Sequence, residues 1–97
     1  MKLVVRTQTY HDDLDAIEVY IAQDNPKAGA DMWLYIDDQV ELLADPTFSR
    51  KKGRVDGTLE LVLHPNYIVI LEEDATTVTV LNVVHARKKG YVQSEVG

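Results

Sequence analysis

Leu59-Glu60-Leu61-Val62-Leu63, then His64-Pro65-Asn66, then Tyr67-Ile68-Val69-Ile70-Leu71, then Glu72-Glu73-Asp74-Ala75, then Thr77 to Val84 read as three strands joined by two tight turns. Connections this short imply an antiparallel meander. The run Tyr67–Leu71 is almost continuously apolar, as expected of a central strand buried on both faces. The run Thr77 to Val84 is rich in β-branched residues, which suit a pleated surface.

Upstream of the meander the period changes. Leu14, Ile17, Tyr20 and Ile21 follow helical spacing, and His11-Asp12-Asp13 predicts the helix start, with early acids at the positive end of the dipole. Asp24-Asn25-Pro26 ends this helix near Gln23 and opens a second one, with Asn25 as cap and Pro26 at the first helical position. Ala30, Trp33, Leu34, Val40 and Leu43 mark the apolar stripe of that second helix, which should end near Ala44, before Asp45-Pro46. Trp33 on this stripe reads as core. Lys2 to Thr7 predicts a short first strand. Thr47 to Thr58 is polar and predicts a loop with room for a short edge strand. The expected order is β-α-α-β-β-β, an α+β fold with a helical hairpin on one face of a small antiparallel sheet. No repeat or linker divides residues 1–97, so a single domain is expected.

The chain has 16 acidic and 10 basic residues, a net charge of −6. That balance disfavours a general nucleic-acid binder, whose affinity rests on phosphate neutralisation. The charge is uneven. Residues 1–46 hold 3 Lys/Arg and 10 Asp/Glu (3 − 10 = −7), whereas residues 47–97 hold 7 and 6 (7 − 6 = +1). The seven basic residues of the second half fall in two runs, Arg50-Lys51-Lys52-Gly53-Arg54 and Arg87-Lys88-Lys89. The first run sits in the loop entering the meander and the second just past the last strand. The connections leave open whether the runs converge. Either they are solvated turns, or they form a site for an anion.

His85, Arg87 and Tyr91 are the most catalytic-looking cluster. A histidine exchanges protons near neutral pH, an arginine stabilises charge on a phosphate, and a tyrosine stacks on a base or transfers a proton. The plainer reading has His85 closing a strand and Tyr91 packing the tail. His64 reads as a turn residue, and His11 falls at the expected helix start. Three histidines spread over the chain lack metal-ligand spacing, and neither acidic stretch alternates oxygen ligands as a calcium loop does. No metal or cofactor is expected. There is no cysteine, which fits a reducing cytoplasm, and the N-terminus does not read as a signal peptide. No apolar run approaches the roughly 20 residues of a membrane span.

The chain resembles the RelE/ParE superfamily of bacterial toxin–antitoxin toxins, and its ParE-like (plasmid stabilisation) branch more than RelE. The resemblance is carried by Asp13-Leu14-Asp15-Ala16-Ile17, Tyr20-Ile21-Ala22 and Asp24-Asn25-Pro26-Lys27-Ala28. It continues through Leu43-Ala44-Asp45-Pro46, Gly53-Arg54, Gly57-Thr58, Glu60-Leu61-Val62, Tyr67-Ile68-Val69 and Leu81-Asn82-Val83-Val84-His85. It implies a growth-inhibiting cytoplasmic toxin neutralised by a cognate antitoxin, meeting operator DNA only through the antitoxin complex. ParE-like members act on DNA gyrase; RelE-like members are ribosome-dependent mRNA endoribonucleases. In a nuclease, Arg54, His85, Arg87 and Tyr91 would be the catalytic residues. In either case Arg50, Lys51, Lys52, Arg54, Arg87, Lys88 and Lys89 would face target or antitoxin. The set is partial. Where RelE-like nucleases place an arginine near the central hairpin, this chain has His64 and Pro65, and Leu59 stands where ParE-like chains often carry a basic residue. A gyrase-directed toxin is the leading expectation, a RelE-like ribonuclease the second, and a non-toxic homologue kept for antitoxin binding the third. Whether the chain is an enzyme stays open.

Overall fold

The computed structural model describes residues 1–86. The elements are β1 (Leu3–Arg6), α1 (Gln8–Ala22), α2 (Pro26–Glu41), a 3-10 turn (Leu42–Ala44), β2 (Lys51–Lys52), β3 (Leu59–His64), β4 (Tyr67–Glu73) and β5 (Thr77–His85). The strands form one sheet in the order β1-β5-β4-β3-β2. The helical hairpin carries the chain from one sheet edge to the other, and the meander returns to meet β1. The meander is antiparallel as its short turns require, and β2 is the short edge strand that the polar loop had room for.

Tyr20 and Leu34, read into the apolar stripes of the two helices, are more than half exposed, and two features of the elements also differ from the sequence reading. First, β1 joins β5 in parallel, with Leu3 opposite Thr77 and Arg6 opposite Val80, so the sheet is mixed. Second, α1 starts at Gln8, with Thr7 as its cap, and not at His11-Asp12-Asp13. The Thr7 hydroxyl oxygen accepts from the Tyr10 N–H at 3.2 Å, satisfying one of the orphan donors of the first turn. The extra turn places Tyr10, fully buried, at the centre of the core. At the hairpin, Asn25 Oδ1 accepts from the Ala28 N–H at 3.1 Å and Pro26 opens α2, as read.

One core joins both layers. Tyr10 and Leu14 of α1 and Ile36 and Val40 of α2 pack on Leu61, Val69, Leu71, Val78, Val80 and Val83 of the sheet. A bulge in β5 interrupts the ladder between Ile70 and Leu71 of β4. The helix layer supplies partners there: Val83 N–H donates to Asp13 Oδ2 at 3.0 Å, and the Thr7 hydroxyl lies 2.8 Å from the Val80 carbonyl. Asp13, expected in a helix-start role, instead holds the bulge from inside α1.

Candidate functional site

The first basic run divides in two. Arg50 is internal, its side chain 7% exposed. Its guanidinium donates to Glu73 Oε2 at 3.1 Å, to the Phe48 carbonyl at 2.9 Å and to the carbonyls of Leu43 and Asp45. Arg50 thus departs from the expectation of a solvent-facing cation; its donors tie the loop after α2 to the end of β4. Lys51 and Lys52 form β2, both exposed, and Arg54 is exposed on the loop that follows.

That loop is closed by its own hydrogen bonds. Gly53 N–H donates to the Thr58 carbonyl at 2.8 Å, Thr58 N–H to the Val55 carbonyl at 3.1 Å, and the Thr58 hydroxyl to the same carbonyl at 2.6 Å. Beneath it lies Glu60, only 2% exposed, whose Oε2 accepts the Arg54 backbone N–H at 3.1 Å. The sequence reading places Glu60 simply on a strand, yet a lone carboxylate between Leu59 and Leu61 is a signal in its own right. Beside the run, a cleft of about 390 Å³ opens between Tyr35 and Gln39 of α2, Phe48–Lys51, and Glu60–Leu63 of β3.

The second candidate cluster begins at the other end of β3. His85 pairs with Tyr67 across β4 and β5, and Tyr67 pairs with His64 across β3 and β4. The Tyr67 ring lies edge-on to His85, centroids 5.3 Å apart, and tilted against His64 at 5.6 Å. Burial, with a lesser effect of Tyr20, pushes the Tyr67 phenol above its ordinary range, so at neutral pH it stays protonated. His64 serves its turn, its Nδ1 accepting from the Asn66 N–H at 3.0 Å. Ala86 N–H donates to the Asn66 carbonyl at 2.7 Å, which fixes where the chain leaves the sheet. Arg87, Lys88, Lys89 and Tyr91 lie outside the described residues. The structure therefore brings His64 and Tyr67 to His85. Arg54 is held by Glu60, which lies four residues before His64 along β3, a rise of about 13 Å. Among the described residues, no group of three His, Asp or Glu side chains is arranged to hold a metal ion, and no helix is long and apolar enough to cross a membrane.

A hairpin of two helices on a five-stranded mixed sheet, with an exposed basic loop at one edge, defines a RelE/ParE-type toxin fold. In solved structures, a chain of the chromosomal ParDE toxin–antitoxin system from P. aeruginosa matches it with a TM-score of 0.75 at 20% identity, over 88% of this chain and 96% of that one. A chain of the toxin–antitoxin complex RelBE2 from Mycobacterium tuberculosis matches with a TM-score of 0.57 at 23% identity, over 87% and 96%. In sequence, the candidate toxin Y4kP of Sinorhizobium fredii is 36% identical over 76 residues, 78% of this chain and 79% of that protein. The family model for the ParE toxin of the type II toxin–antitoxin system parDE matches residues 4–90, and the chain belongs to this family.

Proposed function

We propose that this chain is an active toxin that arrests growth by binding DNA gyrase and is neutralised by a cognate antitoxin. Membership of the ParE family supplies the class. What favours a protein-binding toxin over a nuclease is that two candidate catalytic groups belong to opposite ends of β3. Arg54 is anchored at the start of β3 and His85 stands beside the turn at its end. A nuclease needs its phosphate-binding and proton-transfer groups within hydrogen-bond reach of one scissile phosphate. Lys51, Lys52 and Arg54 on one edge form a cationic surface that suits an acidic patch on a protein. Val19 and Tyr20 of α1 and Leu34 of α2 are more than half exposed, and this apolar face of the hairpin is where we place the antitoxin.

The test is a gyrase supercoiling assay with the purified chain. Inhibition at micromolar toxin is expected, and Arg54→Ala should raise the concentration required about tenfold, the effect of losing roughly 1.4 kcal/mol of contact. No inhibition, together with cleaved messages after induction during translation, would move the protein to the ribonuclease class. Normal growth on induction without antitoxin would leave a non-toxic homologue.

A further inference from the structure

We propose that Glu60 is the positioning residue of the cationic edge: its buried carboxylate holds the Arg54 loop in the geometry that meets the target. The proposal deepens the reading of Arg54 as a target contact and rests on it.

Strand alternation sets Glu60 apart from its neighbours. Leu59, Leu61 and Leu63 pack toward the core under the helices, whereas Glu60 belongs to the opposite face. Its register partners are Lys51 on β2 and Ile70 on β4. Directly opposed residues share a face, so Lys51 and Glu60 are cross-strand neighbours of opposite charge. Glu60 is nonetheless 2% exposed. Burying a carboxylate is costly unless its oxygens are hydrogen-bonded or paired. A glutamine of the same shape would avoid most of that cost and still accept a hydrogen bond. What the charge adds is strength, since a bond to an ionised acceptor is roughly twice as strong as a neutral one.

Among the described residues Glu60 accepts from a backbone group, the Arg54 N–H, at 3.1 Å. It therefore fixes the path of the loop at Arg54, an exposed residue. The rest of the loop is built to the same end. A Cβ on Gly53 would run into Thr58 Oγ1 and lie 2.9 Å from the Thr58 carbonyl oxygen, so residues 53 and 58 are held in close contact. The Thr58 hydroxyl closes on Val55. Three anchors on six residues leave little freedom for the residue between them. A cation held on a rigid loop loses less entropy on binding than one on a mobile loop.

The experiment compares the full chain with Glu60→Gln, which keeps shape and removes charge. Folded Glu60→Gln should exchange the Arg54 amide hydrogen about tenfold faster than wild type, with core amides unchanged. It should need about tenfold more protein to inhibit gyrase, and Glu60→Gln with Arg54→Ala should be no weaker than Arg54→Ala alone. A merely structural residue would add its effect to that of Arg54→Ala. Should Glu60→Gln fail to fold, Thr58→Val loosens the same loop without touching Glu60 and is read in the same two assays. An Arg54 amide equally protected in the variant overturns the anchor, and a loosened loop with undiminished inhibition overturns the positioning role. A wild-type chain that leaves gyrase unaffected sinks the target assignment alone, because the exchange of the Arg54 amide is decided without gyrase.

Discussion

Glu73 meets two cations with one oxygen. Its Oε2 lies 2.7 Å from Lys2 Nζ and 3.1 Å from Arg50 Nη1. Side-chain exposures of 7% for Arg50 and 13% for Glu73 put this pair largely out of water. The three residues join the approach to β1, the loop before β2 and the end of β4. Glu73→Gln would leave the Arg50 guanidinium buried without its counter-charge, which costs roughly 3 kcal/mol. The urea midpoint should fall accordingly at constant slope; an unchanged midpoint would show that the carbonyls around Arg50 suffice. Residue 50 also shows how far a basic run can be read. The sequence displays five positions with four cations, but nothing in it distinguishes Arg50, whose partners are Glu73 and the carbonyls at the end of α2, from Arg54, which is exposed. Charge is written locally, whereas partners are set by the fold.

At the scale of elements, the hairpin was legible where its chemistry is local. Asn25 and Pro26 announce the start of α2, since a cap and a first-turn proline act within one turn. The close approach of its helices at Gly29 was not legible. A Cβ on Gly29 would lie 2.7 Å from the Glu18 carbonyl oxygen and 3.2 Å from the Ala22 Cβ. Gly29→Ala gains about 1 kcal/mol of helix propensity. It also forces two helices apart at a backbone atom, and overpacking of that kind costs about 1–3 kcal/mol. The clash should win, with a net loss of roughly 1 kcal/mol and a thermal midpoint lowered by several degrees. A raised midpoint would show that the hairpin has room to spread. The start of α1 was misplaced for a related reason. Thr7 can be read as the last strand residue or as a cap, and burial of Tyr10, a tertiary effect, decides it. The parallel pairing of Leu3 with Thr77 is less local still, because no turn or spacing records a partner that far along the chain.

At the scale of the whole molecule, neither layer can stand alone. The two helices have 15 and 16 residues, and isolated helices of about that length are marginal in water. The face of the meander that carries Leu61, Val69 and Leu71 is buried against the hairpin, and β1 pairs in the sheet with β5 alone. We therefore propose that residues 1–97 unfold as one cooperative domain. Trp33, the single tryptophan, reports on this from α2, where it packs against the core and donates from its ring N–H to Asp15 of α1 at 3.0 Å. Urea unfolding followed by Trp33 fluorescence should coincide with unfolding followed by far-ultraviolet dichroism, with one midpoint and a slope of about 1–3 kcal/mol/M. A fluorescence transition that precedes the dichroism transition would mean that the hairpin leaves the sheet first. In that case the basic edge, built on β2 and β3, would keep its geometry after the apolar face of the hairpin had been lost, and binding to target and binding to antitoxin would fail at different urea concentrations. If the transitions coincide, both surfaces depend on the same core, and a core substitution such as Leu14→Ala should weaken them together.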